Sequence, residues 1–191
     1  MRNEEHIAIQ RPKPVESSSP ARLFHQGLLW CRGLAAEAAA NIGTLWRSAT
    51  TYDAAFLATV GRRYDRQASD TCNSQMHVPL FHHLTLEDLL RHLPHGCQLI
   101  GVELTGDAVP LGRFVHPLRA LYLLGAEDHG LPPEVLLRCH QVVRIPSPVD
   151  HSLNVAAAGS IVIADRYISG LAARRSGLDA TPGPSVRIIG A

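Results

Sequence analysis

Asn41, Gly43 and Arg47 are polar or small residues at a spacing that could serve a ligand. Gly43 and Arg47 are placed i and i+4, so on a helix they share one face. A glycine beside an arginine leaves space next to the guanidinium group. The same pattern also fits an ordinary amphipathic helix that Asn41 caps and whose arginine faces solvent. On this segment alone, we prefer the second interpretation.

A second candidate lies in residues 124–131, which read Leu-Gly-Ala-Glu-Asp-His-Gly-Leu. Gly125 and Gly130 permit a close backbone approach or a positive φ. The acidic side chains between them could cap backbone N–H groups or bind a ligand. The segment is not G-x-G-x-x-G and lacks the lysine of a phosphate loop, so nucleotide phosphate is a poor candidate. Taken alone, it is equally well a tight turn.

A third candidate begins where the apolar run 141–145 ends in Pro146. After a short loop, Ser152 and Asn154 open a long apolar segment that is predicted to be a helix. Helix starts carry unpaired N–H groups and favour negative charge. Asn154 is predicted to lie inside this helix, where a polar side chain needs a partner.

The elements that would position these residues alternate between strands and helices. Short apolar runs predict strands over 27–34, 54–60, 98–104, 120–124 and 141–145. Helices are predicted around 42–49 and over 84–93, 133–139 and 152–171, the last with Ser152 as its N-cap. This alternation predicts an α/β domain with a mostly parallel sheet flanked by helices. Ligands bind beyond the carboxyl ends of such strands, which points to the loops before Ile42 and after Leu124 and Ile145.

The composition is that of a globular protein. Its 191 residues, 46% hydrophobic and 18% charged, suffice for one domain. We expect this domain over 21–171, between a flexible arm at 1–20 and a tail at 172–191. No apolar run approaches the roughly 20 residues of a membrane span, and the start has no signal core. Four cysteines without a C-x-x-C pair are expected to be buried thiols of a cytoplasmic protein.

Charge and histidine content add little about partners. A net charge of +1 does not indicate nucleic-acid binding, so an RNA surface would need local charge. Its candidates are the clusters Arg62, Arg63, Arg66 and Arg174, Arg175, although solvated surface arginines are the simpler interpretation. The histidines of the middle region lack convincing zinc spacing, and we expect surface or loop residues and no metal. They are His77, His82, His83, His92 and His95.

Together, the three candidate segments resemble the SpoU/TrmH family of the SPOUT class. Its motifs N-x-G-x-x-x-R, G-x-E-x-x-G-L and I-P followed by S-L-N-V occur here in order, within about 28–166. The resemblance implies an RNA 2′-O-ribose methyltransferase that uses S-adenosyl-L-methionine and acts on tRNA or rRNA. It also implies a C-terminal trefoil knot, which is a rare exception to unknotted topology, and a homodimer with the site near its interface.

The same resemblance assigns residues to the site. The positions linked to catalysis are Asn41, Arg47, Glu127, Ser152 and Asn154. Cofactor contacts, largely through backbone groups, are expected from Leu104 or its neighbour Glu103, and from Gly125, Ile145 and Leu153. In this family the arginine is sometimes assigned as the base. Because a guanidinium group is a poor proton acceptor, we expect Arg47 instead to hold an RNA phosphate and to stabilise alkoxide charge.

The sequence departs from the family pattern in one loop, and two other interpretations stay open. Many relatives have methionine where this chain has Ser147, and the loop 145–152 is one residue shorter and contains Pro148. The segment before the first strand is too short for the RNA-binding domain of larger relatives. The alternatives are a non-catalytic member that binds RNA or S-adenosyl-L-methionine, and a nucleotide-binding α/β protein of another family. The sequence does not identify the RNA or the nucleotide.

Overall fold

The computed structural model describes residues 25–31, 35–61, 78–126, 129–149 and 151–175, with side chains from Asn41 onward as far as Ala173. Arg62, Arg63, Arg66 and Glu127 lie outside the described residues, as do the predicted arm and most of the predicted tail. The structure therefore leaves the roles expected for these four side chains as predictions.

Seven strands and four helices make up the described chain. The strands are β1 (His25–Cys31), β2 (Phe56–Val60), β3 (Leu80–His83), β4 (Gln98–Val102), β5 (Val109–Pro110), β6 (Arg119–Leu124) and β7 (Gln141–Arg144). The helices are α1 (Ala35–Thr51), α2 (Leu86–Arg91), α3 (Pro133–Leu136) and α4 (Val155–Arg175), and a 3₁₀ turn covers Leu111–Arg113.

The strands form one sheet in the order β3-β2-β1-β6-β4-β7-β5, and every pairing within it is parallel. The register places Leu29 of β1 beside Ala58 of β2 on one side and Leu123 of β6 on the other. This arrangement confirms the predicted parallel α/β class. Parallel strands put their carboxyl ends at one edge of the sheet, which is where the predicted ligand loops follow β6 and β7.

Strand β6 shows why its sequence is a continuous apolar run. Tyr122 and Leu124 pack with α1 and α4 in one core cluster, whereas Leu121 and Leu123 pack against the opposite face. Successive side chains of a strand point to opposite faces, and all four are no more than 2% exposed. Helices therefore cover both faces of the sheet, as expected when a strand lacks polar alternation.

Two helix starts differ from the sequence predictions. Asn41 is not a cap, because α1 already begins at Ala35. The alanine-rich residues before Asn41 have the highest intrinsic helix propensity and extend the helix toward its amino end. Ser152 is not a cap either, because α4 begins at Val155. The side chain that accepts from its first N–H groups is that of Asn154.

Strands β3 and β5 are not predicted by the sequence pattern. β3 reads Leu-Phe-His-His, lies at one edge of the sheet and has no fully buried residue. β5 has only two residues and lies at the other edge. Edge strands bury less apolar surface than central ones, so neither an apolar run nor an alternation marks them.

Nearly the whole of the long helix α4 is apolar. The segment Val155–Ala173 of α4 could cross a membrane by length and mean hydropathy, which is 1.3, although we expected no such run. One face of the helix packs in the core, where Val162 and Ile163 are fully buried, and 33% of the segment is buried in all. Arg166, which is 3% exposed, donates to the backbone oxygens of Pro117 and Leu118. These contacts hold the inner face of α4 against the sheet.

A polar cluster fixes α4 against the segment that precedes β6. His116 is hydrogen-bonded through Nδ1 to the Tyr122 hydroxyl at 2.6 Å and through Nε2 to Asp165 at 2.9 Å. Arg166 also donates to that hydroxyl. Burial lowers the pKa of His116, against the opposing effect of the Asp165 hydrogen bond. These contacts hold α4 at the amino end of β6, opposite the predicted ligand loops, and so help to orient its first turn.

Candidate active site

A cavity of about 300 Å³ lies at the carboxyl ends of the central strands. Val102 ends β4 and Leu124 ends β6, and both contribute to the wall. Ile145 follows β7, and Val155 begins α4. Three loops and one helix start therefore converge on the same space, in the place that parallel sheets reserve for ligands.

All residues that were assigned to cofactor contact line this cavity, and one catalytic candidate joins them. They are Glu103, Leu104, Gly125, Ile145, Leu153 and Ser152. Ser147, His129 and His151 also line it, and the sequence analysis did not assign them a role in the site. In the sequence, only their place inside the motif loops connected these three residues with the site, because the motifs leave those positions variable.

Glu103 uses its carboxylate to connect two of the converging loops. Oε1 accepts a hydrogen bond from Leu104 N at 3.0 Å, and Oε2 accepts one from Leu131 N at 2.7 Å. Leu131 belongs to the loop after β6, whereas Glu103 follows β4. Glu103 therefore shapes the cavity by holding its walls together, in addition to lining it.

Gly125 allows the loop after β6 to fold back on itself. A Cβ atom at this position would strike the backbone carbonyl carbon of Gly130 and lie 2.5 Å from Leu131 N. Gly130 N donates to Ala126 O at 2.8 Å, which closes the loop. Gly130 has φ +64°, and a Cβ there would strike the Glu103 carboxylate. Both glycines are thus required by close approach, as their pattern suggested.

Asn154 joins the two halves of the predicted catalytic set. Its Oδ1 accepts from Ala156 N at 2.9 Å and from Ala157 N at 3.2 Å, which is the geometry of a helix N-cap. Its Nδ2 donates to Oδ1 of Asn41 at 3.0 Å. Asn41 is only 7% exposed. The partner that Asn154 was predicted to need is therefore Asn41, which lies on α1.

A second polar contact supports the same junction of α1 and α4. The hydroxyl oxygens of Ser48 and Ser160 lie 2.7 Å apart. Ser160 also donates to Ala156 O at 2.7 Å. Because polar groups between packed helices need partners, these contacts fix the distance between α1 and the first turns of α4.

Arg47 stands apart from the cavity wall. It lies on the helix that carries Asn41, and its side chain is exposed. It is not among the residues that line the cavity. Asn41 and Asn154 are likewise absent from the lining, although Leu153 and Val155 on either side of Asn154 belong to it. The structure thus brings Asn41 and Asn154 together beside the pocket and leaves Arg47 facing solvent, open to a large partner.

Asn154 should contribute to stability as well as to the site. We expect Asn154→Ala to lower the free energy of unfolding by roughly 1–3 kcal/mol, because it removes a cap and a hydrogen bond to a buried side chain. Urea denaturation measures this. Asn154→Asp keeps an oxygen that can cap α4 but loses the amide donor to Asn41, so it should recover only the part of the unfolding free energy that the cap contributes. Ser152→Ala, which leaves that cap intact, should change stability by no more than about 0.5 kcal/mol, and an equal loss in Ser152→Ala would contradict the assignment.

Known proteins show the same architecture and sequence pattern. The sequence model of the SpoU rRNA Methylase family matches residues 35–164. The tRNA (guanosine(18)-2′-O)-methyltransferase TARBP1 of Mus musculus is 29% identical over 131 residues, which are 64% of this chain and 8% of TARBP1. The chain thus spans a small part of that relative.

Two solved structures are similar over most of the chain. The SpoU methyltransferase AviRb of Streptomyces viridochromogenes has a TM-score of 0.67 and 25% identity, covering 83% of this chain and 63% of AviRb. An AdoMet-bound rRNA methyltransferase of Sinorhizobium meliloti has a TM-score of 0.64 and 25% identity, covering 84% and 62%. The family match spans more than half of the chain and includes both paired asparagines, so the chain belongs to the SpoU rRNA Methylase family.

Proposed function

We propose that this protein binds S-adenosyl-L-methionine in the cavity and catalyses methyl transfer to a ribose 2′-hydroxyl of tRNA or rRNA. The observation that carries the proposal is the convergence of two motif loops and the loop after β4 on one cavity, beside the Asn41–Asn154 pair. The relatives support it, since TARBP1 is a tRNA 2′-O-methyltransferase by name and the Sinorhizobium meliloti protein is AdoMet-bound.

The cavity fits such a cofactor in size and in chemistry. Its volume is at the lower end of the roughly 300–1,000 Å³ of small-molecule sites. Val102, Leu124 and Ile145 offer apolar walls for an adenine ring. Ser147 and Ser152 add hydroxyl groups, and Gly125 and Gly130 bring the backbone of the loop after β6 to the wall. When bound, S-adenosyl-L-methionine supplies a methyl group that its sulfonium has already activated.

The protein's part in the reaction is then to position and to stabilise charge. Holding the ribose oxygen in line with the methyl group can contribute about 7–11 kcal/mol. Arg47 is suited to grip an RNA phosphate because its guanidinium is exposed and makes bidentate contacts. It also stabilises the negative charge that develops on the ribose oxygen. A guanidinium is a poor proton acceptor, so the hydroxyl proton passes to solvent water while the methyl group moves to the ribose oxygen and S-adenosyl-L-homocysteine leaves.

The proposal includes the trefoil knot, the homodimer and the cytoplasmic location that the family resemblance implies. Ile161 and Ile168 are spaced by two helical turns and are 40% and 62% exposed on α4. An apolar stripe of this kind suits a contact with a second copy of the chain. Cys97 and Cys139 are free thiols, which fits a reducing compartment. Sedimentation of the purified protein tests the dimer directly.

The decisive experiment is a map of 2′-O-methyl groups in total RNA from cells with and without the gene. We expect one or a few sites to disappear, and the purified protein with S-adenosyl-L-methionine to restore them in vitro. An unchanged map, combined with cofactor binding but no transfer to any RNA, would instead support a non-catalytic member of the family. Preference for NAD or ATP over S-adenosyl-L-methionine would overturn the cofactor assignment.

A further inference from the structure

Three metal-ligating side chains meet where β3 ends and α2 begins, away from the cavity. His83 is the last residue of β3, Asp88 lies in the first turn of α2, and His92 follows its last residue. One ligand atom from each residue lies within 4.8 Å of the others. Asp88 and His92 are spaced i and i+4, so the helix presents both on one face. The strand brings His83 to that face.

The distances suit a shared metal ion. His83 Nδ1 lies 3.0 Å from Asp88 Oδ2, and His92 Nδ1 lies 3.5 Å from Asp88 Oδ1. Tetrahedral zinc with bonds of about 2.0–2.1 Å holds its ligand atoms about 3.3–3.4 Å apart. Each observed separation is near this value and involves a different oxygen of Asp88, so the carboxylate lies between the two rings. The ring centroids are 5.6 Å apart, and one ligand atom of each residue lies within 4.8 Å of the others.

The backbone that carries the carboxylate is already fixed. Thr85 is the N-cap of α2, and its hydroxyl oxygen accepts from Asp88 N at 3.1 Å. His82, the neighbour of His83, instead lies 2.7 Å from the Thr59 hydroxyl. Because side chains alternate between the two faces of a strand, the His83 side chain points toward α2 and the His82 side chain points to the other face of β3. Histidine spacing alone did not indicate a site because the third ligand is an aspartate.

We propose that His83, Asp88 and His92 form a binding site for a divalent transition-metal ion, with Zn²⁺ as the best match. Two imidazoles and one carboxylate suit zinc, whereas Mg²⁺ and Ca²⁺ require mostly oxygen ligands. The His83, Asp88 and His92 side chains are 13%, 35% and 66% exposed, so a fourth position stays open to water or to an external ligand. A bound ion links the edge strand β3 to α2.

Metal binding must displace the present hydrogen bonds of the imidazoles. Nδ1 of His92 donates to the backbone oxygen of Asp88 at 2.7 Å, and Nδ1 of His83 is hydrogen-bonded to the carboxylate. Each nitrogen has to lose its proton or rotate before it can coordinate. A ring that carries its proton on Nδ1 can move it to Nε2, so coordination requires a change of tautomer or a rotation of each ring.

The test is a zinc titration of the full chain after treatment with a chelator and its removal. His92→Ala is the informative variant because its side chain is mostly exposed and the fold should tolerate its loss. His95→Ala is the matched control, since His95 is exposed on the same loop but outside the cluster. We expect one site per chain in the wild type and in His95→Ala. His92→Ala and Asp88→Asn should weaken it at least about tenfold, because even outer partners of a metal ligand contribute about 10–100-fold.

X-ray absorption of the zinc-loaded protein provides a second readout. The wild type should show two imidazole ligands per zinc and His92→Ala one. Absence of zinc binding, an affinity that His92→Ala leaves unchanged, or an equal loss in His95→Ala would each overturn the site. None of these measurements uses RNA or S-adenosyl-L-methionine, so the site and the methyltransferase activity succeed or fail separately.

Discussion

Replacing Arg47 with alanine should lower methyl transfer at least about 100-fold while leaving the affinity for S-adenosyl-L-methionine unchanged. Loss of one preorganised group that stabilises transition-state charge typically costs about 10²–10³ in turnover. Arg47 does not line the cavity, so cofactor affinity should not depend on its side chain, and thermal unfolding of the variant checks that the fold is retained. Single-turnover transfer to RNA, measured alongside calorimetric cofactor binding, separates these effects.

Two further variants sharpen this test. Arg113→Ala removes another exposed arginine, which lies in the 3₁₀ turn Leu111–Arg113, and should retain turnover. Arg47→Lys keeps the charge but loses the planar, bidentate geometry of the guanidinium. We expect it to stay well below the wild type. Near-normal turnover in Arg47→Lys would remove the specific role of the guanidinium, and equal losses in Arg47→Ala and Arg113→Ala would point to general RNA electrostatics.

The second large effect should come from Gly125→Ala, which is expected to weaken S-adenosyl-L-methionine binding at least about 100-fold. The added Cβ would strike the backbone of Gly130 and lie 2.5 Å from Leu131 N. Backbone atoms cannot move aside as a flexible side chain can, so the loop after β6 must open. Because that loop forms one wall of the cavity, the cofactor loses its contacts with that wall. Isothermal calorimetry with purified protein measures the change.

Gly112→Ala is the matched control for this substitution. A Cβ at Gly112 would meet no atom within 4 Å, so the added methyl group should have little effect on binding. Thermal unfolding of both variants shows whether the fold is retained. If folded Gly125→Ala binds S-adenosyl-L-methionine as tightly as Gly112→Ala, the cavity is not the cofactor site. If Gly125→Ala does not fold, Gly130→Ala, which instead strikes the Glu103 carboxylate, repeats the test.

The sequence predicts the central sheet and most of the cavity because both depend on local patterns. Apolar runs mark β1, β4 and β6, and the loop that carries Gly125 follows β6, which is buried on both faces. Glycines in such loops signal close approach, and Gly125 and Gly130 show it. The cofactor candidates were found because a motif places them next to strand ends.

What the sequence does not predict depends on contacts between distant segments. The sequence around Asn154 does not indicate that its hydrogen-bond partner is Asn41 on another helix. The carboxylate of Glu103 bonds to Leu131 N across two loops, so its structural role is visible only in three dimensions. Asp88 likewise joins the histidines only because β3 lies beside α2.

The strand order has a consequence for how the chain reaches this structure. β1 pairs with β6, so Leu29 lies beside Leu123. These two strands are far apart in the sequence, so their pairing forms late in folding. Such non-local pairing raises the contact order, which slows folding because loop-closure entropy is lost before the contact forms. During synthesis at about 5–20 residues per second, β1 has only β2 as a paired neighbour until β6 emerges. We expect the nascent amino-terminal half to expose its apolar strand edge over that interval and to depend on chaperones.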